Sequence, residues 1–265
     1  MPLRSQDMKT VILAGGLGTR MQELTRLIPK PMVEIGSHPI LWHIMKIFGH
    51  YGVNEFCVAL GYRSDIVKDY FANYRLRSNS TRIDLSTGDV EIRADDMERW
   101  ILELVETGAF TQTGGRVARM RSFIGDKPFF LTYGDGVADV NVDELLAFHQ
   151  SHGKLATVTA VRPPSKFGAL DLSDDDSVRQ FTEKAVAGDT WINGGFFVFQ
   201  PEIFDYLSTD EDCILERVPL EKVAADGQLK AYRHHGFWQC LDTARDVEQI
   251  NKQWESGNAP WKIWS

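Results

Sequence analysis

Three glycines and two basic residues near the start of the chain form the pattern best suited to chemistry. The run from Val11 to Arg20 is Val-Ile-Leu-Ala-Gly-Gly-Leu-Gly-Thr-Arg, and Lys30 follows in a Pro-Lys-Pro-Met segment. Glycines leave backbone N–H groups uncovered, so a polyanion can approach the main chain closely. Arg20 and Lys30 add the positive charge that a bare loop lacks. The pattern therefore predicts a cradle for a nucleoside triphosphate.

Two better-known phosphate loops fit this run less well. A dinucleotide-binding fingerprint that uses Gly16 and Gly18 needs a third glycine where Met21 stands. A P-loop needs Lys-Ser or Lys-Thr directly after its last glycine, and here Thr19 and Arg20 follow Gly18. An ordinary turn from strand to helix is the remaining alternative.

An aspartate between two glycines is the second candidate for chemistry. A buried strand is predicted over residues 128–133, and it ends in Gly134-Asp135-Gly136. The carboxyl ends of parallel strands are where α/β enzymes bind ligands. The flanking glycines would let a metal ion and phosphates approach Asp135. The alternative is a turn in which Asp135 bonds its own backbone.

The elements that must position these loops alternate between strand and helix. Apolar runs at 10–14 and 55–60 predict buried parallel strands, and residues 39–51 have apolar side chains at helical spacing. The same patterns predict strands at 155–161, 192–199 and 229–233, and helices at 65–74, 117–124, 142–152, 201–207, 215–225 and from 243 through 254. Such alternation predicts an α/β fold with a doubly wound sheet.

Residues 75–115 interrupt this alternation. Polar, charged and β-prone residues alternate there without a helical stripe, which predicts an inserted antiparallel, β-rich excursion. It would cap the active site or mediate oligomer contacts. The segment ends in Thr113-Gly114-Gly115-Arg116, which again combines small residues, exposed backbone and a cation. A flexible turn is the alternative there.

Composition limits the classes of function and the organisation of the chain. A formal net charge of −8 and a pI near 5.4 argue against nonspecific binding to nucleic acid or an anionic membrane. Three scattered cysteines indicate reduced thiols in a cytoplasmic protein, and no run is long enough for a signal peptide or membrane span. We expect a single domain over residues 8–265, with 1–7 as a short extension before Met8, a plausible native start.

These motifs resemble those of the sugar-1-phosphate nucleotidyltransferases. The glycine-rich run with its Pro-Lys-Pro-Met segment carries the family resemblance, which extends from Met8 to the end of the chain. Further blocks resemble the branch that transfers a cytidylyl group to glucose 1-phosphate: Glu34-Ile-Gly, Pro39-Ile-Leu-Trp-His-Ile-Met-Lys, Tyr70-Phe-Ala-Asn-Tyr, Thr111-Gln-Thr-Gly-Gly-Arg116, Thr132-Tyr-Gly-Asp-Gly-Val and Trp238-Gln-Cys-Leu-Asp-Thr. The resemblance implies a Rossmann-like nucleotidyltransferase fold with a mixed, mostly parallel sheet, Mg²⁺ dependence and a homo-oligomer.

The resemblance also implies a reaction and a set of nucleotide ligands. The phosphate of glucose 1-phosphate would attack the α-phosphorus of CTP, and pyrophosphate would leave. Positioning and electrostatic stabilisation carry such a transfer. Asp135 and Asp242 would hold Mg²⁺, and with Arg20 and Lys30 they would form the catalytic set. The nucleotide-binding set is Leu13, Gly15, Gly16, Gly18, Thr19, Arg20, Lys30, Thr113, Gly114, Gly115 and Arg116.

The sugar phosphate would bind to residues of the second half of the chain. By resemblance, Glu183 accepts hydrogen bonds from glucose hydroxyls and Lys184 meets the sugar phosphate. Asn193 and Gly194 would line the sugar pocket, although Asn-Gly is equally typical of a hairpin turn. The family tends to have a proline after the Glu-Lys pair, where this chain has Ala185.

Asp242 has a structural alternative to metal binding, because it precedes a helix and could simply be its N-cap.

Two other classes of function also fit this sequence. The same fold could serve a uridylyl or thymidylyl transferase, or a cytidylyltransferase for another hexose phosphate. A catalytically silent regulatory subunit is a third alternative. Against it stands the joint retention of the charged candidates, which a silent subunit does not need: Arg20, Lys30, Asp135, Glu183, Lys184 and Asp242.

Overall fold

A computed structural model describes residues 3–16, 27–93, 97–163, 169–172, 178–182 and 190–264. In these ranges the helices are α1 (Ile40–His50), α2 (Ser64–Ala72), α3 (Tyr74–Ser78), α4 (Thr113–Arg119), α5 (Arg121–Ile124), α6 (Val142–His152), α7 (Val218–Ala225) and α8 (Ala244–Glu255), with 3₁₀ helices at Ser5–Asp7, Lys30–Met32 and Pro201–Tyr206. Within the same ranges, no helix has the length and apolar character needed to cross a bilayer.

The strands follow the same chain order. They are β1 (Lys9–Leu13), β2 (Glu34–Ile35), β3 (His38–Pro39), β4 (Glu55–Leu60), β5 (Ser80–Ile83), β6 (Val90–Arg93), β7 (Ile101–Glu106), β8 (Phe129–Tyr133), β9 (Gly136–Ala138), β10 (Ala156–Val161), β11 (Ala169–Leu172), β12 (Val178–Thr182), β13 (Ile192–Asn193), β14 (Phe197–Phe199), β15 (Leu229–Arg233) and β16 (Trp238–Cys240). Helices alternate with most of the longer strands, as an α/β fold requires.

The central sheet is mixed and mostly parallel. Strand β1 lies between β4 and β8 and runs parallel to both, and β7 extends the sheet in parallel beyond β4. On the other side, β14 pairs antiparallel with β8, and β10 pairs antiparallel with β14 and parallel with β15. The predicted α/β fold with a mostly parallel sheet is therefore confirmed.

Both faces of the central strands are covered, which explains why β1, β4 and β8 are mostly apolar. Along β1, Ile12 packs into one buried cluster with Phe48 of α1, whereas Val11 packs into another with Val117 of α4. Successive side chains of a strand point to opposite faces, so these clusters lie on the two sides of the sheet. A strand buried on both faces gains from apolar residues at every position.

The predicted excursion over 75–115 contains several different structures. Strands β5 and β6 form an antiparallel hairpin, as predicted, but β7 belongs to the central sheet and pairs in parallel with β4. The assignment of β7 to the excursion was therefore wrong. As an edge strand, β7 is covered on one face and exposed at Ile101 and Glu103 on the other. This alternation is the pattern that the sequence shares with an antiparallel strand.

Two further segments differ from the predicted elements. Helix α4 begins at Thr113 rather than at residue 117, so Gly114 and Gly115 lie in its first turn. The predicted strand over 192–199 is divided into β13 and β14, which pair with the same edge of β10 in registers that differ by two residues. Gly195 and Phe196, with φ of 75° and 48°, form this bulge. Asn193, the last residue of β13, therefore precedes a bulge and not a hairpin turn.

Candidate active site

The glycine-rich loop leaves β1 in contact with an arginine from α4. Gly15 O accepts a hydrogen bond from Arg116 Nη2 at 2.8 Å, and a Cβ atom at Gly15 would overlap the guanidinium of Arg116. Gly15 is thus required because a side chain approaches its backbone closely. The rest of the loop, including Gly18, Thr19 and Arg20, lies outside the described residues.

Arg116 is buried, with 4% of its surface exposed. Its Nη1 atom donates to Leu60 O at 3.0 Å, to Thr107 Oγ1 at 2.7 Å and to Gly108 O at 2.8 Å. Burial, with a smaller effect of Arg119, lowers the pKa of the Arg116 guanidinium. The structure gives this guanidinium a positioning role for the glycine-rich loop, and its contact with a nucleotide stays a prediction.

Lys30, Asp135 and Asp242 meet at the carboxyl edge of the sheet. Lys30 Nζ lies 2.7 Å from Asp135 Oδ2 and 3.0 Å from Asp242 Oδ1. Asp135 stands in the turn between β8 and β9, and Asp242 follows β16, which pairs antiparallel with β9. Leu241 N donates to Asp135 O at 2.8 Å, so backbone pairing brings the two aspartates together.

The charge of Lys30 is stabilised by its carboxylate partners. Burial is the largest single influence on Lys30 and would by itself lower its pKa. The charge of Asp135 and the hydrogen bonds to Asp135 and Asp242 act together in the other direction, so the pKa lies above its usual value. Lys30 therefore stays protonated between the two carboxylates at neutral pH. An opposite charge at hydrogen-bond distance has this effect on an ammonium group.

The carboxylates also suit a divalent cation. Asp135, Cys240 and Asp242 each offer a ligand atom, and these atoms lie within 4.8 Å of one another. Burial, and then the charge of Asp135, raises the pKa of the Cys240 thiol, which leaves it a weak ligand at neutral pH. Carboxylate oxygens are the donors that Mg²⁺ prefers, so the two aspartates present fit this ion.

Asp242 is not the N-cap of α8. Thr243 takes that position, and its side chain accepts a hydrogen bond from Asp246 N in a capping box. The Asp246 carboxylate accepts in return from Thr243 N at 2.8 Å and from Asp242 N at 3.0 Å. The start of α8 therefore holds the backbone of Asp242 while its side chain reaches Lys30.

A cavity of about 300 Å³ opens beside these groups. Its lining includes many of the predicted site residues: Leu13, Gly15, Gly16, Lys30, Thr113, Arg116, Asp135 and Asp242. Thr111, Gln112 and Tyr133 also line the cavity. The cavity therefore combines a charged end, formed by Lys30 and the aspartates, with uncharged polar residues and the buried Arg116 at the start of α4.

Comparison with known proteins identifies the family of this chain. Residues 9–256 match a family model described as nucleotidyl transferase. The chain belongs to the nucleotidyl transferase family. A Bacillus subtilis (strain 168) protein named "probable glucose-1-phosphate cytidylyltransferase" is 47% identical to this nucleotidyl transferase over 97% of the chain and 100% of the relative. The glucose-1-phosphate cytidylyltransferase of Salmonella typhi is 46% identical over the same shares.

Solved structures share the fold of this nucleotidyl transferase. HddC from Yersinia pseudotuberculosis superposes with a TM-score of 0.64 at 24% identity, covering 93% of this chain and 99% of the other. A UDP-glucose pyrophosphorylase complexed with UDP-glucose gives a TM-score of 0.68 at 17% identity, covering 94% and 99%. At these identities the likeness establishes the Rossmann-like nucleotidyltransferase fold and leaves the substrate open.

In this nucleotidyl transferase, the glycines of α4 are explained by close packing. A Cβ atom at Gly114 would lie 2.7 Å from Cys213 Sγ, and one at Gly115 would overlap Asp210 O. Gly115 N donates to Cys213 O at 3.0 Å, so this N–H is used inside the protein. Both glycines thus let α4 lie against residues 210–215, and their assignment to the nucleotide stays a prediction.

Sequence reasoning missed Glu216, Tyr133 and Cys240. The Glu216 carboxylate accepts from Thr113 Oγ1 and from Tyr133 OH, both at 2.6 Å. Burial, and then the charge of Glu216, raises the Tyr133 pKa, so the phenol keeps its proton. Cys240 and Asp242 are two residues apart, and this spacing puts the side chains of an extended chain on one face. The sequence therefore contained a signal that Cys240 lies beside Asp242. No motif in the sequence marked Glu216.

The residues predicted for the sugar lie next to this group. Asn193 Nδ2 donates to Tyr133 OH at 3.0 Å, and Asn193 Oδ1 accepts from Gly195 N at 2.9 Å. Gly194 O accepts from Trp238 Nε1 at 2.7 Å, which ties the bulge to β16. Glu183 and Lys184 lie outside the described residues, so their part in the site stays a prediction.

Proposed function

We propose that this nucleotidyl transferase transfers the cytidylyl group of CTP to glucose 1-phosphate, giving CDP-glucose and pyrophosphate. The observation that carries the transfer chemistry is the convergence of Lys30, Asp135 and Asp242 beside the glycine-rich loop. The choice of cytosine and glucose is supported by the names of relatives that are 46–47% identical over nearly the whole chain.

The charged end of the cavity would bind the nucleotide phosphates. Two polyanions must approach each other, so the site has to neutralise repulsion before an in-line attack can occur. Lys30 is protonated and partly buried, and an ammonium in such a position binds a phosphate oxygen strongly. Gly15 and Gly16 line the same cavity, and Arg20 would add a second cation.

Asp135 and Asp242 would hold the Mg²⁺ ion. When bound, this ion supplies positive charge to the phosphate oxygens of the substrate and of the leaving pyrophosphate. The aspartates orient the site through their own backbones, since Leu241 N pairs with Asp135 O and Asp246 fixes Asp242 N. Lys30 would then share its charge between these carboxylates and the nucleotide.

The sugar phosphate would bind on the side of Asn193. Asn193 is held by Tyr133 and Gly195, so its orientation is set before substrate arrives. We assign Glu183 to the glucose hydroxyls and Lys184 to the phosphate of glucose 1-phosphate, as the family resemblance implies. In-line transfer requires the attacking phosphate oxygen to approach the α-phosphorus of CTP from the side opposite the pyrophosphate.

The proposal extends to the setting of the enzyme. We propose a homo-oligomer in the cytoplasm, with CTP and glucose 1-phosphate as small-molecule partners. The three cysteines, Cys57, Cys213 and Cys240, form no disulfide, in keeping with a reducing compartment. The net charge of −8 disfavours nonspecific contact with nucleic acid or anionic membrane.

Measurement of nucleotide preference tests this function. We expect pyrophosphate release that requires glucose 1-phosphate, with kcat/KM for CTP about a hundredfold or more above UTP and dTTP, because a mismatched base leaves buried polar groups unpaired. Equal or better use of UTP or dTTP would reject the cytidylyl assignment and leave the nucleotidyl transferase family intact. Absence of pyrophosphate release with any nucleotide and hexose 1-phosphate would favour the silent-subunit alternative.

A further inference from the structure

The hydroxyl of Thr113 has two of its three hydrogen-bonding positions filled inside the protein. Its oxygen accepts from Leu215 N at 2.9 Å, and its proton points to Glu216 Oε2 at 2.6 Å. A hydroxyl offers one donor and two acceptor sites. A carboxylate has no proton to give, so the direction of the bond between Thr113 and Glu216 is fixed. One lone pair of Thr113 Oγ1 remains.

That lone pair belongs to a residue that lines the active-site cavity. Thr113 lines this cavity together with Thr111 and Gln112, its neighbours at the start of α4. Phosphates are drawn to the ammonium of Lys30, which leaves the uncharged polar lining residues, Thr113 among them, available to the nucleobase. Toward a base, Thr113 can then act as an acceptor and not as a donor.

The other oxygen of Glu216 is occupied as well. Tyr133 OH donates to Glu216 Oε1 at 2.6 Å and accepts from Asn193 Nδ2 at 3.0 Å. Glu216 is therefore held on both sides by hydroxyl donors, and it cannot turn away from Thr113 without leaving Tyr133 unpaired.

We propose that Glu216 is a specificity-determining residue that makes Thr113 an obligate acceptor for the exocyclic amino group of cytosine. Cytosine has an amino donor at the position where uracil and thymine have a carbonyl acceptor. A lone pair of Thr113 attracts the amino group and repels the carbonyl. This inference rests on the proposed function, since it needs a pyrimidine base in this cavity.

Replacement of Glu216 by Gln tests the proposal. The Gln amide can donate to Thr113 Oγ1, which releases the threonine proton to turn toward the cavity and to donate to a carbonyl of uracil. We expect Glu216→Gln to lower the ratio of kcat/KM for CTP over UTP by about tenfold or more, the size of one hydrogen-bond mismatch. Dissociation constants of CTP and UTP, measured without Mg²⁺ or sugar phosphate, should shift in the same direction.

Matched variants separate specificity from folding. Thr113→Ser keeps the hydroxyl and should keep the ratio, whereas Thr113→Val should lower it, because CTP loses an acceptor. Glu211→Gln removes the same charge from an exposed position on the same segment and should leave the ratio unchanged. If Glu216 had a purely structural role, Glu216→Gln would lower kcat/KM for CTP and for UTP by the same factor.

The outcomes distinguish this inference from the function beneath it. A wild-type enzyme that uses UTP as well as CTP overturns the proposed function. A CTP preference that survives both Glu216→Gln and Thr113→Val overturns the role of Glu216 and leaves the cytidylyl assignment standing. A ratio that falls in both variants and holds in Thr113→Ser supports the inference.

Discussion

Lys30 and Asp135, 105 residues apart in the chain, form an ion pair with an Nζ–Oδ2 distance of 2.7 Å. The same ammonium lies 3.0 Å from Asp242 Oδ1, so one lysine bridges two carboxylates. Carboxylates this close to one another repel unless a cation lies between them. The two carboxylates therefore favour positive charge between them, which a divalent ion can supply. The ammonium of Lys30 in turn can attract a bound polyanion.

Removal of either carboxylate charge should reduce turnover strongly. Asp135→Asn and Asp242→Asn keep the side-chain volume but leave one anionic ligand for Mg²⁺. We expect a loss on the order of 10²-fold or more in kcat, the scale seen when a key electrostatic group is lost. The measurement is pyrophosphate release across a Mg²⁺ titration, with Asp126→Asn, an exposed position, as the matched control. A near-normal rate at limiting Mg²⁺ would show that the replaced aspartate is not a metal ligand.

The two candidate lysines should have different kinetic effects. Lys30 lies at the charged end of the cavity, so Lys30→Ala should mainly lower turnover with CTP. Lys184 follows the glutamate assigned to the sugar, so Lys184→Ala should mainly raise KM for glucose 1-phosphate. Steady-state kinetics with each substrate varied in turn measures both effects. Identical defects for both substrates in the two variants would remove the distinction.

Arg116 should contribute to stability more than a surface arginine does. Arg116→Ala removes the hydrogen bonds that the guanidinium donates to Thr107 Oγ1, Gly108 O and Gly15 O. A hydrogen bond from a charged donor contributes roughly 1.5–3 kcal/mol, so we expect a total loss on the order of 3 kcal/mol in the free energy of unfolding. Urea denaturation measures it. Arg82→Ala, an exposed change in the β5–β6 hairpin, should cost less than about 0.5 kcal/mol. An equal loss in the free energy of unfolding for Arg116→Ala and Arg82→Ala would contradict the positioning role of Arg116.

Two buried histidines should make the fold sensitive to acid. Burial lowers the pKa of His43 and of His149 to about 4 in each case. The unfolded chain takes up protons at the usual pKa of about 6.5, so stability is unaffected above that pH and falls between about pH 6.5 and 4. At about pH 4, the free energy of unfolding is lower by on the order of 3 kcal/mol for each histidine, because one unit of pKa difference corresponds to about 1.4 kcal/mol.

Urea unfolding at pH 7.5 and pH 5 measures this dependence. In the folded state, His149 contacts Thr157 and Gln200, and a Gln side chain at position 149 can hydrogen-bond but does not titrate. His149→Gln should therefore reduce the difference in stability between the two pH values. His50→Gln, a change on the exposed side of α1, serves as the control. A pH dependence that is unchanged in His149→Gln would show that this histidine does not titrate on unfolding.

The parts of the fold that depend on local pattern could be predicted from the sequence. The buried strand before Gly15 and the strand before Asp135 lie where apolar runs placed them. A central parallel strand has a distinctive composition because both of its faces are covered. The edge strand β7 was misassigned, since exposure on one face gives the alternation typical of antiparallel strands.

The contacts between distant segments could not be predicted in the same way. Arg116 has the side chain expected of a phosphate ligand, yet its guanidinium is surrounded by backbone oxygens, including Gly15 O. Its role depends on where α4 packs, which no local pattern encodes. Glu216 is in the same situation, because its importance comes from Thr113 and Tyr133, each more than 80 positions earlier in the chain.

The pairing of β9 with β16 affects when the site can form during synthesis. Asp135 is made long before Asp242, and the second carboxylate is held by a strand and a helix from the last part of the chain. A nascent polypeptide on the ribosome folds from its amino-terminal end first. The central strands can therefore assemble while the site still lacks one of its two aspartates. A product of premature termination before residue 242 would contain the glycine-rich loop but could never bring both carboxylates together.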